Sequence, residues 1–105
     1  MDDTAMTSKK QALSDSYLDE MSDVLRVLAH AYRLRIVEYL DLNGAAPVFR
    51  IAEALGGSQG SVSQHLTKMR TAKLLNAERR GKEVWYDIEN PASLTILNCM
   101  RNRIK

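Results

Sequence analysis

The sequence predicts a mainly α-helical domain with one small β-hairpin, in the order α-α-α-α-β-β-α. Three observations carry this. Apolar residues recur at helical spacing in five separate stretches of the 105-residue chain. The period then switches to strict alternation over Glu83-Val84-Trp85-Tyr86-Asp87-Ile88, just after a charged, glycine-containing turn. Between the third and fourth helical stretches, Leu55-Gly56 supplies a helix stop and Ser58 a helix start.

Residues 1–12 are small, polar and charged and read as a flexible tail, with a first helical turn conceivable beyond Lys9; residues 13–105 form the single domain. Ser14 or Asp15 caps the first helix, which carries Tyr17, Leu18, Met21, Val24, Leu25, Val27 and Leu28. Tyr32 to Asp41 is the second, with Ile36, Val37 and Leu40 inward and Asn43-Gly44 as its stop. Pro47 is expected in the first turn of a short third helix whose apolar positions are Phe49, Ile51, Ala52 and Leu55. The fourth runs from Ser58 to about Thr71. Leu74, Leu75 and Ala77 open the hairpin, Glu78 to Lys82 turns it, and Asn90-Pro91 starts a last helix bearing Leu94, Leu97, Met100 and Ile104.

Composition narrows the function. The chain is 45% hydrophobic and 27% charged, as a folded globular domain should be. A single cysteine excludes an internal disulfide framework and a Cys-rich zinc module. No apolar run is long enough to span a membrane, and the acidic first residues do not read as a secretory leader, so the expected compartment is the reducing cytoplasm, with no membrane partner. No nucleophile–base pair, carboxylate pair or phosphate-cradling glycine loop is visible, which argues against an enzyme.

The formal net charge is +2, but it is unevenly spread. Met1 to Asp41 holds eight acids and five bases, a net of −3, whereas Ser58 to Lys82 holds six bases and one acid, a net of +5. A basic block in a nearly neutral domain is the footprint of a polyanionic partner if its elements reach one surface; a charge run alone is more often a solvated face.

The block coincides with a helix-turn-helix pattern, Ala52-x-x-Leu55-Gly56-x-Ser58 followed by Val62-x-x-x-Leu66. Ala52 is small enough for two helices to cross closely. Val62, Leu66 and Met69 fall within about 60° of one another at helical spacing, a narrow apolar seam. Gly60, Gln64, Thr67 and Thr71 centre the opposite face, flanked by Ser61, Ser63 and Lys68. Gln and Ser side chains read base edges in a major groove, and Lys holds phosphates. Gly60 reads as part of a loose first turn. The hairpin tip carries Arg79, Arg80 and Lys82, and directly after a reading helix it acts as a wing on DNA. Trp85 and Tyr86, adjacent on a strand, face opposite sides, one of them toward the core. The expected partner is double-stranded DNA; the rival from another class is a winged helix that binds protein instead.

Four segments resemble the ArsR/SmtB family of bacterial winged helix-turn-helix repressors: Val27-Leu28-Ala29-His30-Ala31-Tyr32-Arg33-Leu34-Arg35-Ile36-Val37; Ile51-Ala52-Glu53-Ala54-Leu55; Ser58-Gln59-Gly60-Ser61-Val62-Ser63-Gln64-His65-Leu66; and Gly81-Lys82-Glu83-Val84-Trp85-Tyr86. The resemblance runs from about Leu18 to Met100. It implies a homodimer, joined through the first and last helices, on an inverted repeat in a promoter. It further implies DNA contacts from Gln59, Ser61, Ser63 and Gln64, with His65 near the backbone. The stripes themselves suggest the same pairing, Tyr17, Leu18, Met21, Leu25 and Leu28 meeting Leu94, Leu97 and Met100 across a two-fold axis.

The chain departs from the family where many members bind metal. Ala46-Pro47-Val48-Phe49-Arg50 lacks the Cys-x-Cys pair, and Pro91 to Lys105 has no His, Asp or Glu. The expectation is a repressor without metal or other cofactor. Gly57 stands where an apolar residue is usual, and Ala31 where Pro is common. Cys99 is expected to be a buried or half-buried small apolar residue; the sharper alternative is a redox switch pairing with its dyad mate, and a metal-responsive repressor is the remaining one.

Overall fold

A computed structural model describes residues 10–104 of the chain. Most of the expected flexible tail therefore lies outside the described residues; Lys10 to Leu13 have no regular structure and are exposed. The elements are α1 (Asp15–Leu28), α2 (Ala31–Asn43), β1 (Ala46–Pro47), α3 (Val48–Leu55), α4 (Gln59–Thr71), β2 (Leu75–Arg80), β3 (Glu83–Ile88) and α5 (Ala92–Arg103). The mainly α order read from the sequence holds, with one strand added.

That strand is β1. It pairs antiparallel with β3, Ala46 opposite Tyr86 and Pro47 opposite Trp85, giving a three-stranded sheet in the order β1-β3-β2. Pro47 is thus not inside the first turn of α3, as expected, but extended at φ −81°, ψ 162°, immediately before it. Proline suits this place because an edge strand does not need its missing N–H.

Local chemistry sets the helix ends. The Ser14 hydroxyl accepts from the Tyr17 amide at 3.2 Å and starts α1. Helix α2 begins one residue earlier than expected, because the His30 ring caps it: Nδ1 accepts from the Tyr32 amide at 3.3 Å. Gly44 (φ +81°) and Gly56 (φ +83°) end α2 and α3 at positive φ, which glycine alone adopts without strain there. The Asn90 carboxamide oxygen accepts from the Ala92 amide at 2.9 Å to start α5.

Helix α4 ends without a glycine. The Leu74 amide bonds the Met69 carbonyl at 2.9 Å and the Lys73 amide bonds the Arg70 carbonyl at 2.8 Å. This is a Schellman closure, and the two side chains at the positions such a motif brings together, Met69 and Leu74, are both fully buried. The left-handed residue it requires is Lys73 (φ +64°). A side chain there costs about 1–2 kcal/mol relative to glycine. Lys73→Gly is therefore expected to stabilise the domain by about 1 kcal/mol, the remainder being lost to glycine's freer unfolded chain; a urea midpoint that falls instead would refute this.

The core joins every layer. Ile36, Val37 and Leu40 of α2, Ile51 of α3, Val62, Leu66 and Met69 of α4, and Leu74, Leu75 and Tyr86 around the sheet are buried together with Val24, Leu28 and Leu97. The narrow seam read on α4 is the one the structure buries. An ion pair between Arg101 and Asp41 at 2.8 Å ties α5 to α2.

Candidate nucleic-acid interface

Burying Val62, Leu66 and Met69 turns the opposite face of α4 outward. Ser63, Gln64, Thr67 and Lys68 line one shallow hollow on that face. Ser61, Gln64, Thr67 and Lys68 are exposed and Ser63 is half-buried. Ser58 serves the helix itself, its hydroxyl capping α4 by accepting from the Ser61 amide at 3.1 Å. A second hollow joins Gln59, at the first turn of α4, to Val48 and Phe49 of α3 and to Lys82 and Glu83 of the hairpin. The two helices and the wing thus border one depression, with Gln59 and Lys82 both in its lining. Gly60, in that first turn, has only the Ser58 hydroxyl near the position a Cβ would take.

The basic block does not form one surface. Arg70 and Lys73 line a separate hollow with Asn76 and Glu89. Cross-strand register divides the wing as well. Glu78 lies opposite Trp85 and Arg79 opposite Val84, so Arg79 and Arg80 project to different faces of the hairpin. Arg80 pairs with Glu78 at 2.9 Å and sits over the Trp85 ring, 4.4 Å from its centre. Tyr86 is the core-facing member of the aromatic pair, and Trp85 is half-buried on the other face.

His65 turns toward the body of the domain. Its Nδ1 accepts from Arg33 Nε at 3.1 Å, its ring meets His30 edge-on at 4.7 Å, and it stacks on Tyr32 at 5.2 Å. Burial, then the neighbouring His30, Arg33 and Lys68, pushes its pKa below the ordinary imidazole value. A neutral ring is what the bond from Arg33 requires. Arg33 also donates to the Val27 carbonyl at 3.1 Å, so it links α1, α2 and α4. Tyr32 completes this corner: its hydroxyl donates to the Gly56 carbonyl, and burial raises its pKa. That contact explains Gly57 in place of an apolar residue. Gly57 is at φ +112°, and a Cβ there would come within 3.3 Å of the Tyr32 hydroxyl. Sequence reading missed Tyr32 and Arg33 as supports of the reading helix; their partners are distant in sequence, and no local spacing signals them.

On the helices expected to pair, Tyr17, Leu18, Leu25 and Met100 are exposed and Met21 and Leu94 half-buried. Leu28 and Leu97, only 3% and 6% exposed, belong to the protomer's own core. Cys99 is a correction, being exposed on α5 rather than buried.

Two helices around a glycine turn, an outward polar face on the second and a cationic hairpin beside it define a winged helix-turn-helix DNA-binding transcriptional regulator. No family model matches the chain. It is 42% identical over 74 residues to the transcriptional repressor PagR of Bacillus anthracis, covering 70% of this chain and 74% of that protein. The PagR crystal structure superposes with a TM-score of 0.75 at 37% identity, over 83% of this chain and 99% of that one. The AntR antimony-specific transcriptional repressor gives 0.85 at 25% identity, over 99% and 94%. The homodimeric DNA-binding domain of Mb0332 from Mycobacterium bovis, described as a possible ArsR-family regulator, gives 0.72 at 26%, over 90% of each chain. The chain belongs to the ArsR/SmtB family of transcriptional regulators. Among the described residues no helix is long and apolar enough to cross a membrane.

Proposed function

We propose that the protein is a homodimeric repressor that covers an inverted-repeat operator and works without a resident metal. The observation that carries the reading is the outward face of α4, where Ser63, Gln64, Thr67 and Lys68 converge above a fully buried seam. These are base-edge and phosphate ligands on a rigid support. Gln59 and Ser61 extend the face, and Arg79 and Lys82 supply cations beside it.

Pairing is supported by the exposed apolar residues of α1 and α5 and by the homodimer that Mb0332 forms. One helix-turn-helix alone offers too little contact for specific binding, whereas a two-fold pair presents two reading helices one duplex turn apart. Metal independence is supported by the donor chemistry: the 46–50 segment has no thiol or imidazole, and His30 and His65 are each engaged with α2.

The test is fluorescence anisotropy on duplexes tiled across the promoter of the protein's own gene, against excess random competitor, with parallel sedimentation of the free protein. The expected result is tight binding to one tile by a dimer, unchanged by zinc, nickel or antimonite and by reductant. Release by any of these metals would overturn the metal-independent reading, release on oxidation would assign a switch to Cys99, and equal binding to every tile would overturn sequence-specific repression.

A further inference from the structure

The wing cations divide between two roles. We propose that Arg80 is a positioning residue, clasping Trp85 together with Arg50 to hold the wing at a fixed angle to the helix-turn-helix, while Arg79 and Lys82 meet the phosphates. The inference rests on the DNA-binding reading of the wing and adds a division of labour to it.

Register places Arg80 on the same face of the hairpin as Trp85, and its guanidinium is already engaged there. Its Nε donates to Glu78 at 2.9 Å, and its central carbon lies over the indole, 4.4 Å from the ring centre. Arg50, in the first turn of α3, reaches the same ring at 5.3 Å. Trp85 is on the central strand, β3, so one ring is touched by the first helix of the helix-turn-helix and by the last residue of β2. The indole Nε1 is covered and has no acceptor, so the ring is held by its faces and not by a hydrogen bond. A guanidinium–indole contact at an exposed site is modest, worth a few-fold in an equilibrium, but two of them on one ring fix a direction. Arg79, exposed on the opposite face, and Lys82, beside Gly81 in the two-residue turn, have no such engagement among the described residues. A guanidinium held over an indole and paired with a carboxylate is a weak candidate for a phosphate.

Lysine separates the two roles, because it keeps the charge of arginine and loses its planar fork. Trp85 is the only tryptophan, so its emission reports on the clasp directly. The experiment compares R80K, R80Q, R79K, R79Q, K82Q and R50Q for intrinsic fluorescence of the free protein and for affinity on a fixed random-sequence duplex across a salt series. R80K and R80Q are expected to behave alike: a red-shifted Trp85 emission, shared with R50Q, and binding weakened about three- to fivefold. R79Q and K82Q should leave the emission alone and lower the log–log salt slope by about 1.8 each, one phosphate contact from each wing of the dimer, and R79K should restore it. Full rescue of binding by R80K, with R80Q losing a phosphate's share of the slope, would overturn the proposal. So would unchanged emission in both Arg80 variants, or shifted emission with unchanged binding. Unaltered slopes in R79Q and K82Q would instead overturn the DNA-binding reading of the wing, a different outcome.

Discussion

Leu66→Ala is expected to lower the unfolding free energy by about 2–5 kcal/mol, the range for emptying a fully buried leucine site. The side chain has no exposure and lies in the middle of the α4 seam, between Val62 and Met69. Its loss opens a cavity under the helix proposed to read DNA, and α4 is stapled from the ends by the Ser58 cap and the Lys73 closure, so it cannot easily settle into the gap. The control is its immediate neighbour: Thr67→Ala, on the exposed face, should change stability by no more than about 0.5 kcal/mol. Urea denaturation of the two variants measures both. Near-equal midpoints would mean that α4 does not depend on this seam.

Gln64→Ala is expected to cost about 1–3 kcal/mol on the cognate operator and to relax discrimination there, with little loss on random DNA. Gln64 is exposed beside Ser63, Thr67 and Lys68, and a glutamine can donate and accept at one base edge simultaneously. Truncation removes both bonds while leaving the buried seam untouched, so the thermal midpoint should stay within error. Binding curves on cognate and random duplexes decide it. An equal loss on both would make Gln64 a backbone contact and move the base reading to Gln59 or Ser61.

How far the sequence foretold these features follows the range of the interaction. The seam Val62, Leu66, Met69 was legible because its residues are neighbours on one helix, and periodicity is a local property. So were the Ser58 cap and the Gly56 stop. Strand β1 was not, since two residues give no alternation, and Pro47 signals a helix start as readily as an edge strand. Apolar stripes on α1 and α5 announced surplus surface but could not show which positions the core would consume; packing claimed Leu28 and Leu97 and left Tyr17, Leu18 and Leu25 outside. Arg33 supports His65 across 32 positions, a distance at which spacing carries no information. Charge counting treated Arg79 and Arg80 as equivalents, and the pairing of Arg79 with Val84 separated them.

The two edges of the sheet bear on how copies of this chain avoid meeting wrongly. A free strand edge recruits other strands and invites aggregation. Here one edge is β1, only two residues long, and one of them is a proline with no amide to offer. The other is β2, whose outer half, Glu78-Arg79-Arg80, is charged throughout. Neither edge is a good template for strand addition, so the route to misassembly through the sheet is largely shut. Copies that pair through α1 and α5, as proposed above, would find no competing edge-to-edge route in this short and guarded ribbon.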